Sequence, residues 1–328
     1  MALRAGVDLG GTKIQAVVMD PGGRMLGSAR QPTPTAGGPR EVVAGVAEVV
    51  REAAAAAEVE AASLDGVGVG SPGDVDDRAG TVTSARNLPG WKGSFPVSAV
   101  LGEDLGVPVT IGNDVDVATV AEYELGAGRP FTSLLRVFWG TGVGGGIILD
   151  GELWHGRASA GEIGHMVVKL GGARCPCGRR GCMEAYAGRG AMEARARKEL
   201  EEGTRTELFK IMSKRGRTRL TSGVFARALE QGDTLATSLI DRAVEALGAG
   251  VASAVNLLDV EAVIIGGGLG VRLGVPDAER IEHAMRPHLF SDHRPPAVRV
   301  AALGDLGGAI GAALLVPTVR AGSAARER

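Results

Sequence analysis

Cysteine is almost absent from this chain: there are three in 328 residues, all inside Cys175-Pro176-Cys177-Gly178-Arg179-Arg180-Gly181-Cys182. Cysteines so confined do not staple a fold across its length, and as reduced thiols they fit a cytoplasmic protein. Charge of one sign is also missing. The net charge is −2, with Arg, Asp and Glu scattered evenly, so no long basic stripe exists for nucleic acid. No segment approaches the roughly 18 consecutive apolar residues of a membrane helix, and the N-terminus enters a strand without a signal-peptide pattern. Neither nucleic acid nor membrane is therefore expected as a partner. What is present is ample core material: 45% of the residues are hydrophobic, enough for a large core and for two domains.

The cysteine loop follows His165, in Gly161-Glu162-Ile163-Gly164-His165. Three thiolates and one imidazole fill a tetrahedral zinc shell and leave no position for water or substrate, so the metal expected on His165, Cys175, Cys177 and Cys182 is structural. Gly178 and Gly181 permit the tight turns so short a loop demands, and Pro176 stiffens it. The alternative is three unrelated buried thiols. A closed shell does no chemistry, so its value lies in what it positions. Glu162 and Glu184 are tethered beside it, and the second ring nitrogen of His165 is free to face a polar substrate. Losing the metal is expected to loosen this substrate pocket rather than the glycine loops described next.

Short β-like runs alternate with helical patterns. Arg4 to Asp8 and Ile14 to Met19 read as a hairpin around Leu9-Gly10-Gly11-Thr12-Lys13. An Ala-rich helix is predicted over Pro39 to Ala62. Strands are predicted at Leu64 to Gly70, Val107 to Ile111, Leu134 to Phe138, Gly146 to Leu149, Ala262 to Ile265 and Val298 to Ala302. Leu235, Leu239, Ile240, Val244, Leu247, Val251, Val255 and Leu258 keep helical spacing. The class is α/β with layered sheets and helices.

The 52 glycines cluster where strands end: Gly10-Gly11-Thr12-Lys13, Gly140-Thr141-Gly142-Val143-Gly144-Gly145-Gly146, and Gly266-Gly267-Gly268-Leu269-Gly270. Each lets backbone N–H groups approach an anion without a Cβ in the way, and three such loops suggest one nucleotide gripped from two domains. The first is no Walker A motif, because Thr precedes Lys and a strand follows. Gly68 to Gly73 and Gly140 to Gly145 match dinucleotide spacing, but neither opens a convincing helix.

Val7-Asp8-Leu9-Gly10-Gly11-Thr12-Lys13 resembles the first phosphate motif of the actin-like sugar kinases, and Gly140 to Gly146 the second. The pattern Glu162-x-Gly164-His165 followed by Cys175-x-Cys177-Gly178-x-x-Gly181-Cys182-x-Glu184 is similar to the signature of the ROK family, which contains bacterial glucokinases, other hexose kinases and sugar-responsive repressors. The resemblance runs from residue 6 to about 315. Repressors of the family carry an N-terminal helix-turn-helix domain, whereas seven residues precede Asp8, which favours a kinase.

The resemblance implies two actin-like (ribonuclease H-like) domains with a cleft between them. Residues 1–112, completed by a helix near 306–320, would form the smaller, and 113–305, with the zinc loop 165–184, the larger. It implies ATP and Mg²⁺, with Asp8 near the metal and the transferring phosphate. Gly10, Gly11, Thr12 and Lys13 would wrap the terminal phosphates, as would Thr141, Gly142 and Gly144, while Gly266, Gly267 and Gly268 border the adenosine. Asp114 matches the catalytic base; as a bare residue it reads equally as the cap of a helix over Val115 to Leu125. Ser71, Pro72, Gly73, Asn87, Asn113, Glu162, His165 and Glu184 would complete the hexose site. The expected reaction is phosphorylation of a hexose 6-hydroxyl, glucose first. N-acetylmannosamine, fructose, mannose or a non-catalytic sugar-binding regulator are the alternatives, and polyphosphate is left open as donor. A homodimer or homotetramer is implied as well. Two positions depart from the family pattern and bear on the choice of sugar: Asp116, where a small or amide residue is common, and Ala187-Gly188-Arg189, where Ala-Ser-Gly often stands.

Overall fold

The computed structural model describes residues 2–85, 87–157 and 159–317. They form two compact units, residues 2–125 with 305–317, and residues 126–304. The first unit contains strands β1 (Arg4–Leu9), β2 (Lys13–Met19), β3 (Met25–Pro32), β4 (Gly66–Ser71), β5 (Asp74–Asp76), β6 (Thr81–Thr83), β7 (Ser94–Phe95) and β8 (Val109–Asn113). Its helices are α1 (Pro39–Ala56), α2 (Val97–Leu105) and α3 (Asp114–Leu125). The second contains β9 (Leu134–Trp139), β10 (Val143–Leu149), β11 (Glu152–Leu153), β12 (Ala262–Gly266) and β13 (Ala297–Val300). Its helices are α4 (Glu184–Ala187), α5 (Arg189–Glu201), α6 (Leu208–Lys214), α7 (Ser222–Glu230), α8 (Thr234–Leu258), α9 (Gly267–Leu273) and α10 (Val275–Met285). The chain then returns to the first unit as α11 (Gly307–Leu314). Residues 318–320 of the expected C-terminal helix lie outside the described residues.

The two main sheets repeat one plan. Their strand orders are β3-β2-β1-β4-β8 and β11-β10-β9-β12-β13, each an antiparallel hairpin start followed by two parallel strands. Strands β1, β4 and β12 are buried almost throughout, which explains their continuous apolar runs. Edge strand β3 is half exposed and carries no such run, so periodicity did not reveal it.

Helix α11 is made of small residues because it lies directly on the sheet. A Cβ on Gly6 or Gly68 would strike the backbone of Ala309 or Ala312. Gly311 likewise meets the Val117 carbonyl of α3. That packing draws α3 into the first unit, whereas the sequence reading began the second domain at Asn113. Helix α1 stops at Ala56 rather than Ala62, since Glu58 takes a left-handed φ of 59° and Ala61–Ser63 forms one separate 3-10 turn. Helix α8 is capped by Asp233, whose carboxylate accepts the Ala236 N–H at 2.7 Å, and it buries the predicted apolar stripe in the second core. No helix among the described residues is long and apolar enough to cross a membrane.

Candidate active site

In the first unit, register brings the chemistry together. Asp8 lies opposite Gly70, Gly70 opposite Gly112, and Ser71 opposite Asn113, so three parallel strands end level. Ligands of open α/β sheets bind at this carboxyl edge. Asp8 and Asp114 are neighbours here: burial first, then the Asp8 charge and less so Asp116, push the Asp114 carboxyl up to about 6, against the opposing Val115 N–H. A carboxylate held there is ionised at neutral pH yet basic enough to take a proton.

Helix α3 is capped mainly by Asn113. Its Oδ1 accepts the N–H groups of Val115 at 2.9 Å and Asp116 at 3.3 Å, while Asp114 shares only the Val115 N–H, at 3.0 Å. The capping duty that could have explained Asp114 thus belongs largely to its neighbour.

The β1–β2 turn is held by neutral groups. Gly10 N–H donates to the Lys13 carbonyl at 2.9 Å, and the Thr33 hydroxyl donates to the Gly10 carbonyl at 2.6 Å. Thr33 N–H adds a bond to the Thr12 carbonyl at 3.3 Å. Gly11 abuts the Asn87 carbonyl, leaving no room for a side chain. Lys13 is committed along the strand, with Nζ 3.0 Å from Gln15 Oε1 and 3.8 Å from Asp305. The Ser71 hydroxyl is buried and donates to the Pro72 carbonyl at 3.0 Å, and Gly73 turns the chain with φ 101°. Asn87 is exposed.

In the second unit, donor atoms of His165, Cys175, Cys177 and Cys182 lie within 4.8 Å of one another. The Cys177 and Cys182 sulfurs are 3.8 Å apart, which matches the edge of a tetrahedron with Zn–S bonds of about 2.3 Å. Burial pushes the Cys175 thiol up to about 12 and raises Cys182, while the Arg179 N–H and then the Cys175 thiol pull Cys177 down to about 6. Three thiolates this close would need a cation to offset their burial and mutual repulsion, and with the imidazole they make a donor set that fits a metal ion. His165 Nδ1 faces Cys175 at 3.9 Å and Nε2 faces Glu162 at 3.6 Å. Glu162 is largely exposed beside it.

Glu184 joins the thiol cluster to the β9–β10 turn. Its Oε1 accepts from Cys175 Sγ at 3.7 Å and its Oε2 accepts the Val143 N–H at 3.0 Å, against Gly142. This carboxylate braces the β9–β10 turn, so the cysteine loop and one of the glycine loops share a side chain. Only Gly140, Thr141 and Gly142 form that turn, closed by a Gly140 N–H to Gly142 carbonyl bond at 3.0 Å. Gly144 lies inside β10 opposite Phe138, so it is a strand residue and not part of the loop. Gly145 beside it provides clearance for Gly161 and Ile163, the segment that carries Glu162 and His165. Gly266 ends β12 opposite Phe138, and Gly267 (φ 79°) packs on the Trp139 backbone, which sets Gly268 beside Gly140.

Sequence motifs did not reveal Thr33, Arg189 or Glu193. Arg189 donates to the Thr141 hydroxyl at 2.6 Å and to the Leu220 carbonyl at 2.6 Å. Glu193 is buried and accepts from Arg197, Arg219 and the Leu220 N–H. The departure at Gly188-Arg189 from the familiar pattern was the available signal for the second of these.

The chain matches the ROK family model over residues 4–319. It is 32% identical to a glucokinase of Halalkalibacterium halodurans, over 95% of this chain and 94% of that one. It is 33% identical to an N-acetylmannosamine kinase of Haemophilus influenzae, over 82% of this chain and 81% of that one. The crystal structure of a ROK family glucokinase from Streptomyces griseus in complex with glucose and AMPPNP superposes with a TM-score of 0.80 at 32% identity, covering 96% of this chain and 99% of that one.

Proposed function

The chain belongs to the ROK family, and from that premise we propose that it transfers the terminal phosphoryl group of ATP to the 6-hydroxyl of a hexose, glucose first. The observation that carries this reading is Asp114, held at about 6 beside Asp8 at the carboxyl edge of the parallel strands. As the sugar oxygen bonds to phosphorus and the bond to the departing ADP oxygen breaks, the 6-hydroxyl proton passes to the Asp114 carboxylate. Asp8 would hold Mg²⁺, which neutralises charge on the phosphates. Gly11 and Thr12 offer backbone N–H groups to the donor, in a turn that the Gly10 N–H closes on the Lys13 carbonyl, as do Thr141 and Gly142, and Gly266 to Gly268 border its adenosine. Zinc on His165, Cys175, Cys177 and Cys182 would be structural: it would fix His165 and the loop that leads into Glu184.

Asn113, Glu162, His165 and Glu184 bind ring hydroxyls, with Ser71, Pro72, Gly73 and Asn87 completing the pocket. Glu184 keeps acceptor capacity for a hydroxyl despite its bond to Val143, since a carboxylate carries about four lone-pair positions. Polar groups aimed at hydroxyls reject analogues that lack them, because the site's own groups are then left unpaired. The second reading, an N-acetylmannosamine kinase, is supported by the Haemophilus influenzae relative.

A coupled assay with ATP across glucose, mannose, fructose and N-acetylmannosamine tests both readings. Glucose is expected to give a kcat/KM at least about tenfold above the others, the scale of one or two lost polar contacts. Comparable or greater efficiency on N-acetylmannosamine would replace glucose, and no turnover of any hexose would overturn the kinase reading.

A further inference from the structure

We infer that Arg189 is a positioning residue for the phosphoryl donor, acting through Thr141 in the β9–β10 turn. The inference rests on the proposal that this turn receives the donor's phosphates. A hydroxyl has one proton to give and two lone pairs to accept with. The Arg189 guanidinium occupies a lone pair of Thr141 Oγ1 at 2.6 Å, so the hydroxyl proton is left to point outward to an acceptor. Thr141 is exposed, and a phosphate oxygen is the acceptor that suits it.

The grip is built from several directions. Arg189 opens α5, and its own N–H donates to the Gly140 carbonyl at 3.1 Å while Gly190 N–H donates to the Thr141 carbonyl at 3.0 Å. The other end of the guanidinium is anchored on the Leu220 carbonyl at 2.6 Å. Leu220 is itself fixed by its N–H to the buried Glu193 carboxylate at 3.0 Å, which also takes Arg219 at 3.1 Å. A buried carboxylate, a loop, a guanidinium and the turn hydroxyl thus form one continuous chain of bonds.

Charge points the same way. Glu193 is ion-paired to Arg197 and Arg219, whereas Arg189 makes no ion pair among the described residues and is held by neutral oxygens. Burial, and then the adjacent Arg219 charge, lower the pKa of Arg189, against a smaller opposing pull from the Glu193 carboxylate. A guanidinium that is partly desolvated beside another cation favours the arrival of an anion, and the turn is where one would sit.

The test compares wild type with Arg189→Ala, Arg189→Lys, Thr141→Val and the double variant Arg189→Ala/Thr141→Val. Arg189→Ala is expected to raise the KM for MgATP about tenfold with the glucose KM held within about twofold, the scale of one charge-assisted bond. Arg189→Lys should recover only part of the loss, since an ammonium cannot span Thr141 and Leu220 together. In the Thr141→Val background, removing Arg189 should cost only about twofold, because the coupled bond is already gone. Calorimetric titration should show AMPPNP weakened about tenfold by Arg189→Ala and AMP unchanged. Equal rises in both KM values, full additivity of the two substitutions, or equal weakening of AMP would overturn the inference. If Arg189→Ala fails to fold, Arg189→Lys and Thr141→Val still decide it. Should the wild type phosphorylate no hexose, the calorimetry still reads the nucleotide, so failure of the kinase reading is distinguishable.

Discussion

The β1–β2 turn and the β9–β10 turn occupy equivalent places, each closing the first hairpin of a five-stranded sheet of the same order. They are held by different chemistry. The first is fastened by backbone groups and the Thr33 hydroxyl. The second is fastened by the charged side chains of Glu184 and Arg189, and Glu184 also touches the thiol cluster. One topology has thus been given two supports, a neutral one beside the Asp8–Asp114 pair and one of charged side chains tied to the cysteine loop. The neutral support adds no further charge next to a carboxyl pair whose own repulsion already raises Asp114. The charged support makes the second turn depend on a distant structural feature.

The largest effect is expected where the first unit does its chemistry. Asp114→Asn should lower kcat by roughly 10² or more and leave glucose affinity within a few-fold, measured by steady-state kinetics and calorimetry. The same change should stabilise the fold above pH 6. A carboxyl whose folded pKa is raised to about 6 costs stability progressively as pH rises from about 4 through 6, and the amide removes that cost. Thermal unfolding at pH 8 should show a gain on the order of 3 kcal/mol, shrinking to nothing below pH 4. A variant with near wild-type turnover would shift the base to Asp116.

Next in size is the contrast between the two supports. Cys177→Ala should abolish the one zinc per chain expected for the wild type, as measured by elemental analysis, and raise both the glucose and MgATP KM values, each about tenfold, since the loop that carries His165 and leads into Glu184 loses its footing. Thr33→Val, which loosens only the first turn, should raise the MgATP KM about threefold, as for one neutral hydrogen bond, and leave zinc and glucose untouched. If Cys177→Ala changed the glucose KM alone, the brace through Glu184 would carry no weight and the two turns would be independent of the metal alike.

The smallest effect sharpens the electrostatics of the first unit. The kcat/KM for glucose should fall on acidification through about pH 6, as Asp114 takes up its proton. Asp116→Asn removes the lesser of two like charges and should move that acid limb down by a few tenths of a pH unit. An unmoved or rising limb would mean that Asp116 does not face the base.

Much of this was legible in the chain itself. The thiol-imidazole set is compact in sequence, so donors spaced by two to ten residues had to meet, and they do. The β1–β2 hairpin and the stripe along α8 were equally local. The small β5-β6-β7 sheet and edge strand β3 were not, because exposed or very short strands carry no apolar rhythm. The run Gly140 to Gly146 was read as one loop, yet from Val143 onward it is a strand. Glycine in sequence signals close approach without saying whether a ligand or another part of the chain does the approaching.

The sequence by itself determined the family, the α/β alternation, the thiol-imidazole set and the identity of the carboxylates, since each is a matter of residue type at short spacing. Only the tertiary structure decided what Asp114, Glu184 and Arg189 face. Asp114 gains its raised proton affinity because parallel strands, far apart in sequence, end level and set Asp8 beside it in a buried place. Glu184 and Arg189 become braces because the chain after the cysteine loop folds back on a turn more than forty residues earlier, at Val143 and Thr141. Proton affinity and hydrogen-bond direction are set by neighbours in space, and those neighbours come from packing rather than from the order of residues along the chain.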